Sequence, residues 1–268
     1  MKKIALIIIL MLSFYQMRGQ NDKKHIYRNT EFKVNEKAYL FGDNVKLRKS
    51  FSINSEELAL LNITSEIKIL EKISETYLYN GIDWHWYKVQ YKDRIGYIIG
   101  GLISLDTKKI DNSIFLVSLK KVKDSYKILT RVVNNGKAYI ENEAFFGTEH
   151  SFTLAAFNNR GIKEIKNMLL IDYQAEACGV DGGGYYLFNE GNTLTKAINL
   201  FEMSEAGIFN VSEAVLFPND VGGKLDKILY TKTIVKNLDE LTNRKKTIIE
   251  SCEFTWKGNL LKLKVIDE

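Results

Sequence analysis

The sequence predicts an all-β protein, a small barrel followed by a larger antiparallel β-rich domain, and three observations carry that expectation. Apolar runs are short, turn signals such as Gly42-Asp43-Asn44 and Asn134-Asn135-Gly136 separate them, and few segments hold a helical period. Of 268 residues, 45% are apolar and 26% charged, the balance of a folded chain rather than a disordered one. A length prior of about 150 residues per domain gives two domains. Eighteen glycines beside a single proline, Pro218, exclude collagen-like and proline-rich architectures.

The chain opens with Lys2-Lys3, an apolar run from Ile4 to Leu12 and a polar exit from Ser13 to Gln20. That order reads as a secretory signal over residues 1–19, with Gly19 as the small residue at the cleavage point. The apolar core is far short of the roughly 20 residues a membrane-spanning helix needs. Loss of Lys2, Lys3 and Arg18 lowers the formal charge from +5 to +2. A mature chain so near neutrality argues against a nucleic-acid partner, whose binders carry clustered basic faces. No later segment is apolar and long enough to cross a membrane, so the mature protein is expected to be periplasmic or secreted. Residues 20–36 read as a linker.

Residues 37–106 divide into short extended pieces. Lys37–Phe41 alternates weakly, Gly42-Asp43-Asn44 turns the chain, and Val45–Arg48 resumes it. Ser50–Glu57 is polar and loop-like. Leu58–Ile63 and Ile67–Ile73 follow. Tyr87, Val89 and Tyr91 alternate with period 2, and Lys92-Asp93 turns into Arg94–Ile99, which ends at Gly100-Gly101. Five or six short strands in about 70 residues describe a small barrel.

These residues resemble the bacterial SH3 domain, the SH3b type of exported and wall-associated proteins. Asp43-Asn44-Val45-Lys46-Leu47-Arg48 corresponds to the family's opening element, and Trp86-Tyr87-Lys88-Val89 to its tryptophan-bearing strand. Gly96-Tyr97-Ile98 and Gly101-Leu102-Ile103 match its last strand and closing turn. The family's Gly-Pro after the opening arginine is replaced here by Lys49-Ser50-Phe51, and Glu75–Asp83 is longer than usual. The resemblance implies an SH3-like barrel and, as partner, a peptidoglycan peptide or a protein.

Seven of the chain's 31 aromatic residues fall between Tyr77 and Tyr97. A barrel this small has a limited core, which predicts that some rings line a surface groove able to hold an extended peptide. Trp84, Trp86 and Tyr97 are the expected groove residues; Tyr87 and Tyr91 read as packing, and His85 as a solvent-exposed strand position.

Beyond Thr107 no family resemblance emerges. Extended signals recur at Ile114–Leu119, Tyr126–Val133, Ala138–Glu141, Ser151–Phe157, Ile165–Tyr173, Tyr185–Phe188, Leu194–Phe201, Ile228–Val235, Thr247–Phe254 and Leu260–Val265. About ten strands point to an antiparallel sandwich, barrel or incomplete propeller over 107–268. Glu202–Ala206 and Leu238–Lys245 read as short helical pieces. Cys178 and Cys252, in an exported chain, are expected to form a disulfide. It would close a loop of 75 residues and contribute roughly 4 kcal/mol.

Catalytic signatures are weak. Gly179–Gly184 lacks the Lys-Ser/Thr of a phosphate loop and the ligands of a calcium loop, and reads as a flexible hairpin turn. Asp172, Glu176 and Asp181 read as surface carboxylates, His150-Ser151 lacks a nucleophile-elbow context, and Arg244-Lys245-Lys246 reads as a solvated charge run. No metal, cofactor or catalytic set is assigned. The reading that follows is non-enzymatic binding of a peptide or envelope component. An envelope hydrolase with an unrecognised catalytic half, and a purely structural barrel whose groove is filled by Glu75–Asp83, are the alternatives.

Overall fold

The computed structural model describes residues 24–147, 150–175, 179–205, 208–239 and 244–257. The signal-like residues 1–19 and the extended signal at 260–265 lie outside the described residues. Among the described residues strand accounts for 65% and helix for 1%, which establishes the all-β class.

Six strands form the first sheet: β1 (Lys37–Tyr39), β2 (Val45–Arg48), β3 (Glu57–Leu61), β4 (Glu66–Tyr79), β5 (Ile82–Tyr91) and β6 (Arg94–Ile99). They lie in the order β1-β4-β5-β6-β2-β3, and a single 3-10 turn at Gly100–Leu102 follows. β2 shows how sequence pattern becomes structure, burying Val45 and Leu47 while Lys46 points to solvent. The stretch Glu75–Asp83 is not a loop. It extends the β4–β5 hairpin around Asn80-Gly81, whose φ angles of 53° and 75° suit a tight hairpin turn. The tip docks on the next sheet, where Lys121 N–H donates to the Asn80 carbonyl at 2.8 Å. A Cβ at Gly81 would lie 2.3 Å from the Lys121 carbonyl oxygen, so the docking requires glycine.

The second sheet runs β10-β9-β8-β7, with β7 (Thr107–Ile110), β8 (Ser113–Val122), β9 (Ser125–Asn134) and β10 (Ile140–Phe146). The third is a seven-stranded antiparallel meander: β11 (His150–Asn158), β12 (Asn167–Ala175), β13 (Gly182–Asn189), β14 (Leu194–Glu205), β15 (Phe209–Leu216), β16 (Ile228–Asp239) and β17 (Arg244–Phe254). Period-2 alternation gives β12 and β13 two apolar faces. Leu169, Ile171, Tyr185 and Leu187 join Phe115, Val117 and Leu119 of the second sheet in one core, while Met168, Tyr186 and Phe188 join Phe217, Ile228 and Trp256 in another. Trp256 follows β17, yet its ring sits 4.9 Å from that of Phe188 on β13. Four strand spacings would separate these strands by ~19 Å in a flat sheet, so the meander curls into a half-barrel.

The first core cluster does not stop at residue 106. Leu40, Leu47, Ile69 and Trp86 of the first sheet share it with Leu105, Phe115 and Phe152. The described part of the stretch read as a linker, 24–36, is packed into it: Ile26 is fully buried and bridges Phe152 on the β11 edge, and Phe32 meets Tyr87 edge-on at 5.2 Å.

Three expectations need correction. Glu202–Glu205 belongs to β14, and Leu238-Asp239 and Arg244-Lys245 are the ends of β16 and β17, so the described residues of both expected helical pieces are strand, while 206 and 240–243 lie outside the described residues. Pairing with an adjacent strand overrides a weak local helical preference there. β7 and β15 arise where no strand was expected. The third is the disulfide: Cys252 is a free thiol on β17, and Cys178 lies outside the described residues.

Candidate functional site

A groove of about 210 Å³ opens on the first sheet, lined by Asp43, Asn44, Val45, Lys46, Arg48, Ile53, Trp86, Ile99 and Leu102. Its rim starts at the turn before β2. Asn44 adopts φ 52° there, and the Asp43 carboxylate accepts the Ile63 N–H at 3.0 Å and the Asn44 amide at 3.3 Å. Those bonds pin the turn to the end of β3. β2 then delivers Lys46 and Arg48 to the opening. The Arg48 Nη1 donates to the Ser55 carbonyl at 2.8 Å, and Ser50 N–H donates to the Ser55 hydroxyl at 2.9 Å. Together they shape the 49–56 loop, which holds Ile53 over the groove with its side chain 42% exposed. Trp86, Ile99 and Leu102 form the apolar floor.

The electrostatics of the rim are unequal. Lys46 pairs with Glu57 at 3.1 Å, both exposed. Arg48 is half-buried and has no carboxylate partner among the described residues; its guanidinium donates one hydrogen bond, to the Ser55 carbonyl.

Of the expected groove residues, the structure brings only Trp86 to the groove, and there as buried floor with 3% exposure. Trp84 is buried as well, beneath Gly101, where an added Cβ would lie 2.6 Å from its indole nitrogen. Tyr97 is half-buried beside Phe51, ring centroids 5.7 Å apart, and does not line the groove. The expectation of an exposed tryptophan pair is therefore overturned. Its physical basis was the limited core of a lone small barrel, and this barrel shares its core with the two following sheets. Tyr87 is packing, as expected, and its burial pushes the phenol up to about 12. His85, expected in solvent, is half-buried, its Nδ1 2.9 Å from the Ile73 carbonyl.

The residues missed from sequence are Asp43, Lys46, Arg48 and Ile53. The turn and the β2 alternation were visible in the sequence, but nothing local indicated that Ile53 and Leu102 converge on them.

The other sequence candidates fall on several elements of the third sheet. Gly182–Gly184 lies in β13 rather than in a flexible turn, His150 opens β11, Asp172 sits on β12, and Asp181 precedes β13. Glu176 lies outside the described residues. Arg244, Lys245 and Lys246 are solvent-exposed at the start of β17. Burial pushes the Cys252 thiol up, which disfavours the reactive thiolate. No cluster of three or more His, Cys, Asp or Glu residues suited to a metal occurs among the described residues. No helix among them is long and apolar enough to cross a membrane.

Comparison with protein families, curated proteins and solved structures gives no match to this chain.

Proposed function

We propose that the protein is an exported, non-enzymatic binding protein of the cell envelope whose N-terminal module takes a peptide, from peptidoglycan or from a protein partner, in the groove between Asp43 and Leu102. The observation that carries this reading is the groove itself, an apolar floor of Trp86, Ile99 and Leu102 under a polar rim of Asp43, Lys46 and Arg48. That combination suits an extended peptide, whose side chains enter the floor while its backbone meets the rim. The resemblance of residues 37–105 to SH3b domains supports the ligand class.

The test is co-sedimentation of the chain from Gln20 to Glu268 with insoluble peptidoglycan, alongside Ile53→Asp. Ile53 is the better probe because it is exposed, whereas truncating Trp86 would empty part of the core. Retention of the parent and loss of the variant are expected. A second reading, a structural barrel within an interaction module, is favoured by the core continuous between Trp86 and Phe115. Under it neither protein sediments and Ile53→Asp changes nothing.

A further inference from the structure

The charged groups lining the groove differ in what they have left to offer a ligand. Both oxygens of Asp43 already accept N–H groups, from Ile63 and from Asn44. Lys46 is paired with Glu57. Arg48 spends one of its five donors on the Ser55 carbonyl, and that bond fixes the guanidinium plane at the opening. A held guanidinium with free donors is preorganised for bidentate pairing with a carboxylate.

The size of the groove narrows the ligand further. A volume of about 210 Å³ is below the ~300 Å³ at which sites for drug-sized ligands begin. The end of a peptide chain, one small residue with its carboxylate, fits that space. The floor of Val45, Trp86, Ile99 and Leu102 is apolar, and suits a small alkyl side chain.

We propose that the groove binds the free C-terminus of a peptide, with Arg48 pairing the terminal carboxylate and the Trp86 floor taking a small apolar terminal side chain. The proposal rests on the groove being the peptide site, and it specifies which end of the peptide enters.

The experiment titrates the chain from Gln20 to Glu268 with N-acetyl-Ala-Ala as the free acid and as the C-terminal amide, in the L,L and D,D forms. Affinity is read by calorimetry, and the site by the indole N–H resonance of Trp86. The free acid is expected to move that resonance and to bind about tenfold tighter than the amide, the scale of a hydrogen bond to a charged group. Arg48→Gln is expected to erase the acid–amide difference, and Arg48→Lys to keep part of it. Preference for the L,L or the D,D form separates a protein C-terminus from a wall-peptide terminus. Equal binding of acid and amide at the Trp86 site would overturn the carboxylate proposal and leave the peptide groove standing. No movement of Trp86 at millimolar ligand would overturn both. If Arg48→Gln fails to fold, the acid–amide comparison on the parent decides alone.

Discussion

Replacing Asn189 with alanine probes the joint between the second and third sheets. Two cross-strand pairs meet there: Ser113 with Asn134 across β8 and β9, and Asn167 with Asn189 across β12 and β13. All four side chains are buried, Asn189 completely. The Asn189 amide donates to Asn134 Oδ1 and Asn167 Oδ1, both at 2.8 Å, while its oxygen accepts from Gly191 N–H at 3.0 Å and Asn134 Nδ2 at 3.1 Å. Asn134 keeps other partners in Ser113 and the Gly191 carbonyl. The truncation therefore strands the Asn167 oxygen and the Gly191 N–H. A buried orphan costs about 1–3 kcal/mol and the half-buried Gly191 N–H, which water can reach, less, so the expected loss is about 2–3 kcal/mol. The assay is urea unfolding followed by tryptophan fluorescence. At a slope near 3 kcal/mol/M the midpoint falls by ~0.8 M. Because the two pairs form one network, Asn134→Ala combined with Asn189→Ala is expected to cost less than the sum of the singles. A loss under about 1 kcal/mol at unchanged slope, or strict additivity, would refute the reasoning.

Trp84→Ala is expected to lower stability by about 3–5 kcal/mol, as truncation of a buried aromatic does, seen as a fall in the thermal midpoint; an unchanged midpoint would restore Trp84 as a surface residue. Gly101→Ala is expected to destabilise by about 1–3 kcal/mol, because the added methyl lies 2.6 Å from the Trp84 indole nitrogen and 2.8 Å from the Tyr79 ring; denaturant titration reads it. Alkaline pH is expected to weaken the fold. Tyr87 is raised to about 12 from 10.0, so its phenol is neutral in both states below pH 10, and above it only the unfolded chain gives up the proton. Between pH 10 and 12 roughly 3 kcal/mol is lost through this residue, and urea midpoints at pH 9 and 11.5 with tyrosinate absorbance check it. Alkylation in denaturant without reductant is expected to add two adducts per chain, since Cys252 is a free thiol; a mass with no adduct would establish the disulfide.

The strand content was legible because alternation and turn chemistry are local. The period-2 run at Tyr87–Tyr91 and the turn at Lys92-Asp93 became β5, its turn and β6 with little change. β7 and β15 were not legible, since Thr107–Ile110 and Phe209–Leu216 mix polar and apolar residues and are held by neighbouring strands rather than by their own pattern. The Asn80-Gly81 turn lay in plain view, yet a long Glu75–Asp83 segment reads as an insertion until Lys121 shows where the hairpin tip rests.

By itself the sequence determined the β class, the strand-rich block at 37–105 and the turn that begins the groove, because each depends on neighbours a few residues apart. The tertiary structure decided which aromatics are hidden. Trp84 and Trp86 belong to a core that also takes in Phe115, Phe152 and Leu187, residues far along the chain that no local pattern ties to them. It also decided the site, for Arg48 becomes a half-buried guanidinium with donors to spare only once the 49–56 loop folds back and Trp86, Ile99 and Leu102 close the floor beneath it.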